Sequence, residues 1–326
     1  MSRGREPFSL VGPKHLTTID WNDYSHRRSV SASLVKGVSE RERDRQVELR
    51  GGSETLAPQW WKFFNFKLVN ELVNEDDESI FGAIFEYVLP SATNPGPRYV
   101  IAFWGTLFKR ETWKRDLESD FAIILNTLHQ ISRVQTAMKY VEDRVSKAGA
   151  AIAMLAGKNI AKRGKFLESF LFNPPYASFP IETIFKDNKN VIHGLQLTIN
   201  VIKGGVALAL GYSGDEDSFA AISGWKPCLF VNSRDFICHG YIEHFKKRRK
   251  SDDVGVWGLI SHHSLRNLVM KELKIRDVEN SEPLHLLPSA ILIENLSPPE
   301  ESISPHKLRH WWKPDLNLRC TVYNYE

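Results

Sequence analysis

Cysteine is scarce in this 326-residue chain: Cys228, Cys238 and Cys320 lie far apart, with no C-x-x-C and no nearby histidine pair. That spacing argues against a zinc site and against a disulfide-stapled secreted scaffold, and a reducing compartment is the default. A surplus of one charge sign is also lacking. Lys+Arg of 43 against Asp+Glu of 39 leaves +4, too little for the global positive field that gathers nucleic acid or an anionic membrane. The first residues, MSRGREPFSLVGPKHL, hold no apolar core of the ~7–15 residues a secretory signal needs. Asn190–Gly214 is a long stretch with Lys203 as its only formal charge, but it contains His193, Gln196, Asn200 and several glycines. Such a stretch reads as a buried or lid-like segment rather than a membrane span. The expectation is a soluble, cytoplasmic protein. What is present in quantity is apolar material: 42% hydrophobic and 11% aromatic residues supply one large core or two small ones.

Residues 1–50 are polar and charge-dense, with Val30, Leu34 and Val38 spaced as on one helix face, so they read as an N-terminal helical segment laid on a main body of residues 51–326. GGSETLAP (51–58) is the turn-rich connection. Trp60, Trp61, Phe63, Phe64 and Phe66 form an aromatic cluster assigned to the core, and Leu68, Leu72 and Val73 continue it at helical spacing. IFGAIFEY (80–87) and RYVIAF (98–103) read as neighbouring buried strands, the second running into Trp104-Gly105-Thr106. From Leu117 to Val145 apolar residues recur at three- and four-residue steps, predicting one long helix or two in succession. AAIAMLAGKNIAKRG predicts another helix, and Phe166–Phe172 a strand. The order strand, helix, helix, strand is irregular. In a doubly wound sheet a strand should separate those helices, and only the residues around Ser146–Gly149 are available, fewer than a strand of ~5–6 needs. One β-unit is missing from the pattern.

Trp225–Asn232 is a further strand candidate, with Asp235 three residues beyond it in a loop. KKRRK (246–250) continues a helical stretch and reads as a solvated helix end rather than an anion site. Pro283–Asn295 holds the last strand candidate, followed by a loop with His306 and His310 beside Trp311 and Trp312.

Taken in order, LAPQWWKFFNFKLV, SIFGAIFEY, RYVIAFWGT, LHQISR, AMLAGK, ESFLFNPP, PCLFVN, EHFKKRRK, EPLHLLPSA and WWKPDL resemble a plant branch of the α/β-hydrolase superfamily, related to class 3 (fungal-type) lipases and often labelled GDSL esterase/lipase-like. The agreement runs nearly end to end, although the tetrapeptide Gly-Asp-Ser-Leu is not in the sequence. The resemblance implies an α/β fold: a mainly parallel α/β-hydrolase-like sheet with helices on both faces, acting on lipid or small carboxylic esters without metal or organic cofactor. It also implies a Ser-His-Asp triad with serine on a G-x-S-x-G elbow. That elbow is absent. The family's strand and W-L-A-G-H-S-L-G-S segment precede the counterpart of AMLAGK, whereas here Val145-Ser146-Lys147-Ala148-Gly149-Ala150 runs straight into it.

Carried over residue by residue, the resemblance gives Thr106 the oxyanion-loop position, with Trp104 where the family commonly has arginine. It gives Asp235 the role of orienting acid and His306 that of general base, with His310 second and His262–His263 third. The leading expectation is a lipase-like hydrolase relative that has lost its nucleophile-bearing strand and elbow and is impaired as an esterase. The alternatives are a non-catalytic protein binding an acyl-like ligand or a partner, and an esterase using Ser146 or Ser213 as nucleophile. No nucleic-acid partner is expected. Transient membrane-surface contact through a lid formed by 190–214 stays open, as does the oligomeric state.

Overall fold

Runs such as Tyr99–Phe103 are apolar on both sides, and a strand of that kind is stable only where each sheet face is covered. A computed structural model provides the structure; it describes residues 6–74, 78–89, 96–104, 150–174, 176, 218–235, 237–248, 287–300 and 303–325. The elements in chain order are α1 (Phe8–Val11), α2 (Tyr24–Glu48), α3 (Gln59–Lys62), β1 (Phe66–Val73), β2 (Ile80–Tyr87) and β3 (Tyr99–Phe103). Then come α4 (Ala150–Lys162), β4 (Phe170–Phe172), α5 (Ser218–Ile222), β5 (Cys228–Asn232), α6 (Gly240–Arg248), β6 (Ala290–Asn295), a 3-10 turn (Leu308–Trp311) and β7 (Leu318–Tyr323).

The strands form two sheets, β1-β2-β3 and β4-β5-β6-β7. Ladders β4–β5 and β5–β6 are parallel, whereas β1–β2, β2–β3 and β6–β7 are antiparallel. The chain is thus α/β with a parallel centre in its second sheet, but the described sheets are mixed rather than mainly parallel. Only residues 74–79 separate β1 from β2, too few for the crossover a parallel pair needs, so that pair is antiparallel. Among the described residues β3 pairs only with β2, and β4 only with β5.

Both sheets alternate in step between two cores. Ile101, Phe103, Leu171, Leu229 and Leu292 face a layer that includes Ile160, Trp225, Tyr241 and Phe245. Val100, Ala102, Phe170, Phe172, Phe230 and Ile293 face the opposite layer, with Leu34, Val38, Trp60 and Trp311. Helix α2 lies against β2, β3 and β4, and α4 against β3 and β4, so each face has a helix spanning from one sheet to the other.

Asp23 starts α2 by accepting from the N–H groups of Ser25 at 2.6 Å and His26 at 3.4 Å. Val30, Leu34 and Val38 are buried, and so are Arg28, Lys36, Glu40, Glu42 and Asp44. Each of these charges has partners, without which burial would cost several kcal/mol. Lys36 Nζ lies 2.6 Å from Glu6 and 2.7 Å from Glu40, which also pairs with Arg43. Glu42 accepts from the Ile80 N–H at 2.9 Å and from Arg45, tying the helix to the start of β2. Asp44 accepts from the N–H groups of Leu56 and Ala57. The helix is anchored by charge as much as by its apolar stripe.

On the other face, α4 meets Trp225 at Gly157, where an added Cβ would come within 2.1 Å of the indole. Gly157→Ala should therefore destabilise the fold by about 1–3 kcal/mol through overpacking. The helix-propensity gain of about 1 kcal/mol does not offset that. A thermal melt of the variant checks this, and an unchanged or raised midpoint counts against the close packing.

Several local expectations change. Leu68, Leu72 and Val73 lie in strand β1, not a helix: the segment pairs with β2, and a register shift between Leu68 and Asn70 sends Leu68 to one core layer and Leu72 to the other. The strand at Phe166–Phe172 is confined to Phe170–Phe172, and Phe166 is exposed. The β6 strand is not the last: β7 follows it, with an Arg319–Glu294 pair at 2.6 and 3.0 Å across the ladder. Its outer residues Arg319, Cys320 and Val322 are exposed, so its sequence carries no hydrophobic alternation. The predicted helices between 117 and 145, the 190–214 stretch and the end of KKRRK lie outside the described residues. No helix among the described residues is long and apolar enough to cross a membrane.

Candidate active site

Parallel strands place their C-terminal ends side by side, where α/β proteins gather functional groups. Here β4, β5 and β6 each end at an asparagine: Asn173 just after β4, Asn232 and Asn295 as the last residues of theirs, all three buried. Beyond Asn232 the chain turns at once, with the Asp235 N–H donating to the Asn232 carbonyl at 2.9 Å. The turn carries the buried Asp235 carboxylate inward. Its Oδ1 accepts from the Ile237 N–H at 3.1 Å, and its Oδ2 lies 3.3 Å from the Cys238 thiol.

The same Oδ2 lies 2.6 Å from His306 Nδ1. A carboxylate can only accept, so this contact fixes the proton on Nδ1 and makes Nε2 the basic nitrogen of the ring. The carboxylate is 1% exposed and the imidazole 37%, so the acid is shielded while the base stands at the surface of the site. Shielding strengthens a charge-assisted hydrogen bond by removing competing water. Burial, reinforced by the Asp235 charge, pushes the Cys238 thiol far above its ordinary value, which keeps it protonated and a donor to the carboxylate.

His306 reaches this place by way of the loop after β6, which is fixed at several points. The Asn173 amide donates to the His306 carbonyl at 2.9 Å, and the Asn232 amide to the Pro305 carbonyl at 3.2 Å. Arg28 of α2 donates to the Trp311 carbonyl at 2.8 Å, and Lys307 pairs with Glu6 at 3.2 Å. Trp311 packs on Phe230 and Phe172, with ring centroids 5.4 and 6.3 Å away.

His310 is placed differently. It is buried, and its Nε2 lies 2.9 Å from the Ser304 carbonyl. Burial holds His310 below the ordinary histidine value, with Arg234 and Arg309 adding to the shift. A histidine depressed on folding stabilises the protein above its unfolded value of about 6.5, and that contribution is lost as pH falls toward the folded value. His310→Gln should therefore flatten the loss of thermal stability between about pH 6.5 and 5. Parallel melts of both proteins over that range test it, and identical slopes would refute the buried neutral ring.

Thr106, Ser146, Ser213, His262 and His263 lie outside the described residues. Among the described residues no group of three or more His, Cys, Asp or Glu side chains is arranged to hold a metal. Sequence reasoning passed over Cys238, Asn173 and Asn232. The signal for the two asparagines was a repeated one, each of three apolar strands closing on Asn, but Asn at a strand end reads first as a turn former.

No family model matches the chain, and no solved structure matches it. An Arabidopsis thaliana protein named as a GDSL esterase/lipase is 38% identical over 356 residues, covering 99% of this chain and 99% of that protein. The alignment is longer than the 326-residue chain, so the relative carries residues with no counterpart here. Identity of that degree along the whole length of both proteins places this one: the chain belongs to the GDSL esterase/lipase family.

Proposed function

We propose that the protein is an esterase/lipase-like hydrolase of class 3 lipase-like type that keeps the acid–base half of its site and has lost the half bearing the nucleophile. Its ancestral substrates are lipid or small carboxylic esters, as the relative's name suggests. In this reading Asp235 is the orienting acid and His306 the general base, which would take the proton from an attacking hydroxyl at Nε2 and return it to the leaving alcohol. Thr106 is proposed at the oxyanion position.

The observation carrying the proposal is the 2.6 Å contact of Asp235 with His306 at the strand ends, in a chain without any G-x-S-x-G. Two further findings support the loss of the nucleophile strand. Beyond β2 and β5, no ladder partner adjoins β3 or β4 among the described residues, and these are the strands that precede and follow the break in the sequence pattern. The relative's additional residues have the same sense.

A fluorophosphonate probe tests the reading directly, because it labels an activated serine and nothing here should supply one. The expected result is no labelled serine in the purified chain. Labelling that disappears in Ser146→Ala or Ser213→Ala would overturn the impairment and assign the nucleophile. Sequencing the transcript across the codons for 145–151 separates a true deletion from an omitted segment.

A further inference from the structure

We infer that Asn173 and Asn232 are positioning residues for His306: the amides of two adjacent parallel strand ends hold the two consecutive carbonyls on either side of the His306 N–Cα segment. The inference rests on the reading of Asp235 and His306 as an acid–base pair and extends it to the groups that aim the imidazole.

The hydrogen bonds are specific in direction. Asn173 Nδ2 donates to the His306 carbonyl at 2.9 Å while Asn173 Oδ1 accepts from the Trp311 indole N–H at 3.1 Å. A carbonyl only accepts and an indole N–H only donates, so the amide has one orientation that satisfies both. Asn173 sits at φ 48°, in the left-handed region that Asn and Asp tolerate better than other side-chain-bearing residues. Its N–H donates to the Phe230 carbonyl at 2.9 Å, so the β4–β5 ladder itself fixes its Cα. Asn232 repeats the arrangement one strand over: Nδ2 donates to the Pro305 carbonyl at 3.2 Å and Oδ1 accepts from the Arg234 N–H at 3.1 Å.

Together the two amides fix the peptide planes on both sides of the His306 Cα. Pro305 narrows the backbone further through its ring. With the backbone held, only the side-chain torsions of His306 remain, and Asp235 sets those. Both asparagines are almost wholly buried, so their amides act without competing water. Aspartate cannot replace either one. It would keep the acceptor for Trp311 or Arg234 but set a carboxylate oxygen against a carbonyl, with nothing to donate.

That asymmetry supplies the test, which needs no enzymatic activity. In the full-length protein the Nδ1 proton of His306, held by Asp235, should give a far-downfield imidazole resonance in the proton NMR spectrum, identified by its loss in His306→Gln and Asp235→Asn. Asn173→Asp and Asn232→Asp should each abolish or broaden this resonance while the protein still melts cooperatively. Retention of the resonance in folded Asn173→Asp and Asn232→Asp proteins would overturn the inference and leave the Asp235–His306 pair standing. Its absence from the wild-type spectrum would overturn the pair itself, and the inference with it.

Discussion

Replacing His306 by alanine is expected to leave the residual ester hydrolysis of this protein unchanged, within about twofold, on short and long p-nitrophenyl esters. In a complete serine triad the same loss costs about 10⁶ in kcat, or roughly 8 kcal/mol of transition-state stabilisation, because nucleophile, base and acid act as a unit. A base with no covalent step to assist has nothing to stabilise beyond the activation of water. The absolute rate follows: turnover should stand about 10⁶-fold below that of an intact triad enzyme, near what binding alone provides. Asp235→Asn should be equally silent. A drop of about 10⁶ on either substitution, the size seen when a triad loses a member, would mean that a nucleophile is present and would contradict the proposed impairment.

The largest stability effect is expected at Lys36. Its ammonium lies between two carboxylates, 2.6 Å from Glu6 and 2.7 Å from the fully buried Glu40. Lys36→Met should lower stability by about 3 kcal/mol, because it removes the cation the two carboxylates share and leaves the buried Glu40 to Arg43 alone and Glu6 to Lys307 alone. Replacing Lys36 together with Glu40 and Glu6 by apolar residues of similar size should cost much less, since the desolvation penalty vanishes with the charges. Urea denaturation of the two variants separates these cases, and equal losses in both would contradict the electrostatic account.

The network has a pH signature as well. Burial pushes the Glu6 carboxyl up, but Lys36 and Lys307 outweigh it and hold the group below its ordinary value. A depressed carboxylate contributes stability above its unfolded value, and the contribution disappears as pH falls through the folded one. The deficit of Lys36→Met should accordingly shrink toward acid pH. Lys307 follows His306 directly in sequence, so loss of Glu6 would also release one anchor of the loop that carries the imidazole.

The strands at Ile80–Tyr87 and Tyr99–Phe103 were legible from the sequence because they are short runs apolar almost throughout, and helix α4 because it is rich in strong helix formers. Their hydrophobic pattern is their local preference, and the two agree. β1 and β7 were not legible, for different reasons. The step from Leu68 to Leu72 is helical in sequence, and only pairing with β2, with a register shift between Leu68 and Asn70, makes the segment a strand. β7 lies at a sheet edge with most of one face in water, so what holds it is backbone hydrogen bonding to β6 and the Arg319–Glu294 pair.

By itself the sequence determined that the chain holds an α/β core, that the pattern breaks before α4, and that no G-x-S-x-G is available to carry a nucleophile. Those are statements about local pattern and covalent order, and a sequence records them completely. Only the tertiary structure decided that Asp235 meets His306 rather than His310, across 71 positions of chain, and that Asn173 and Asn232 hold the loop between them. Such contacts arise because three parallel strands end at one edge and the returning loop must satisfy its carbonyls there. No periodicity along the chain encodes which carbonyl each amide will find.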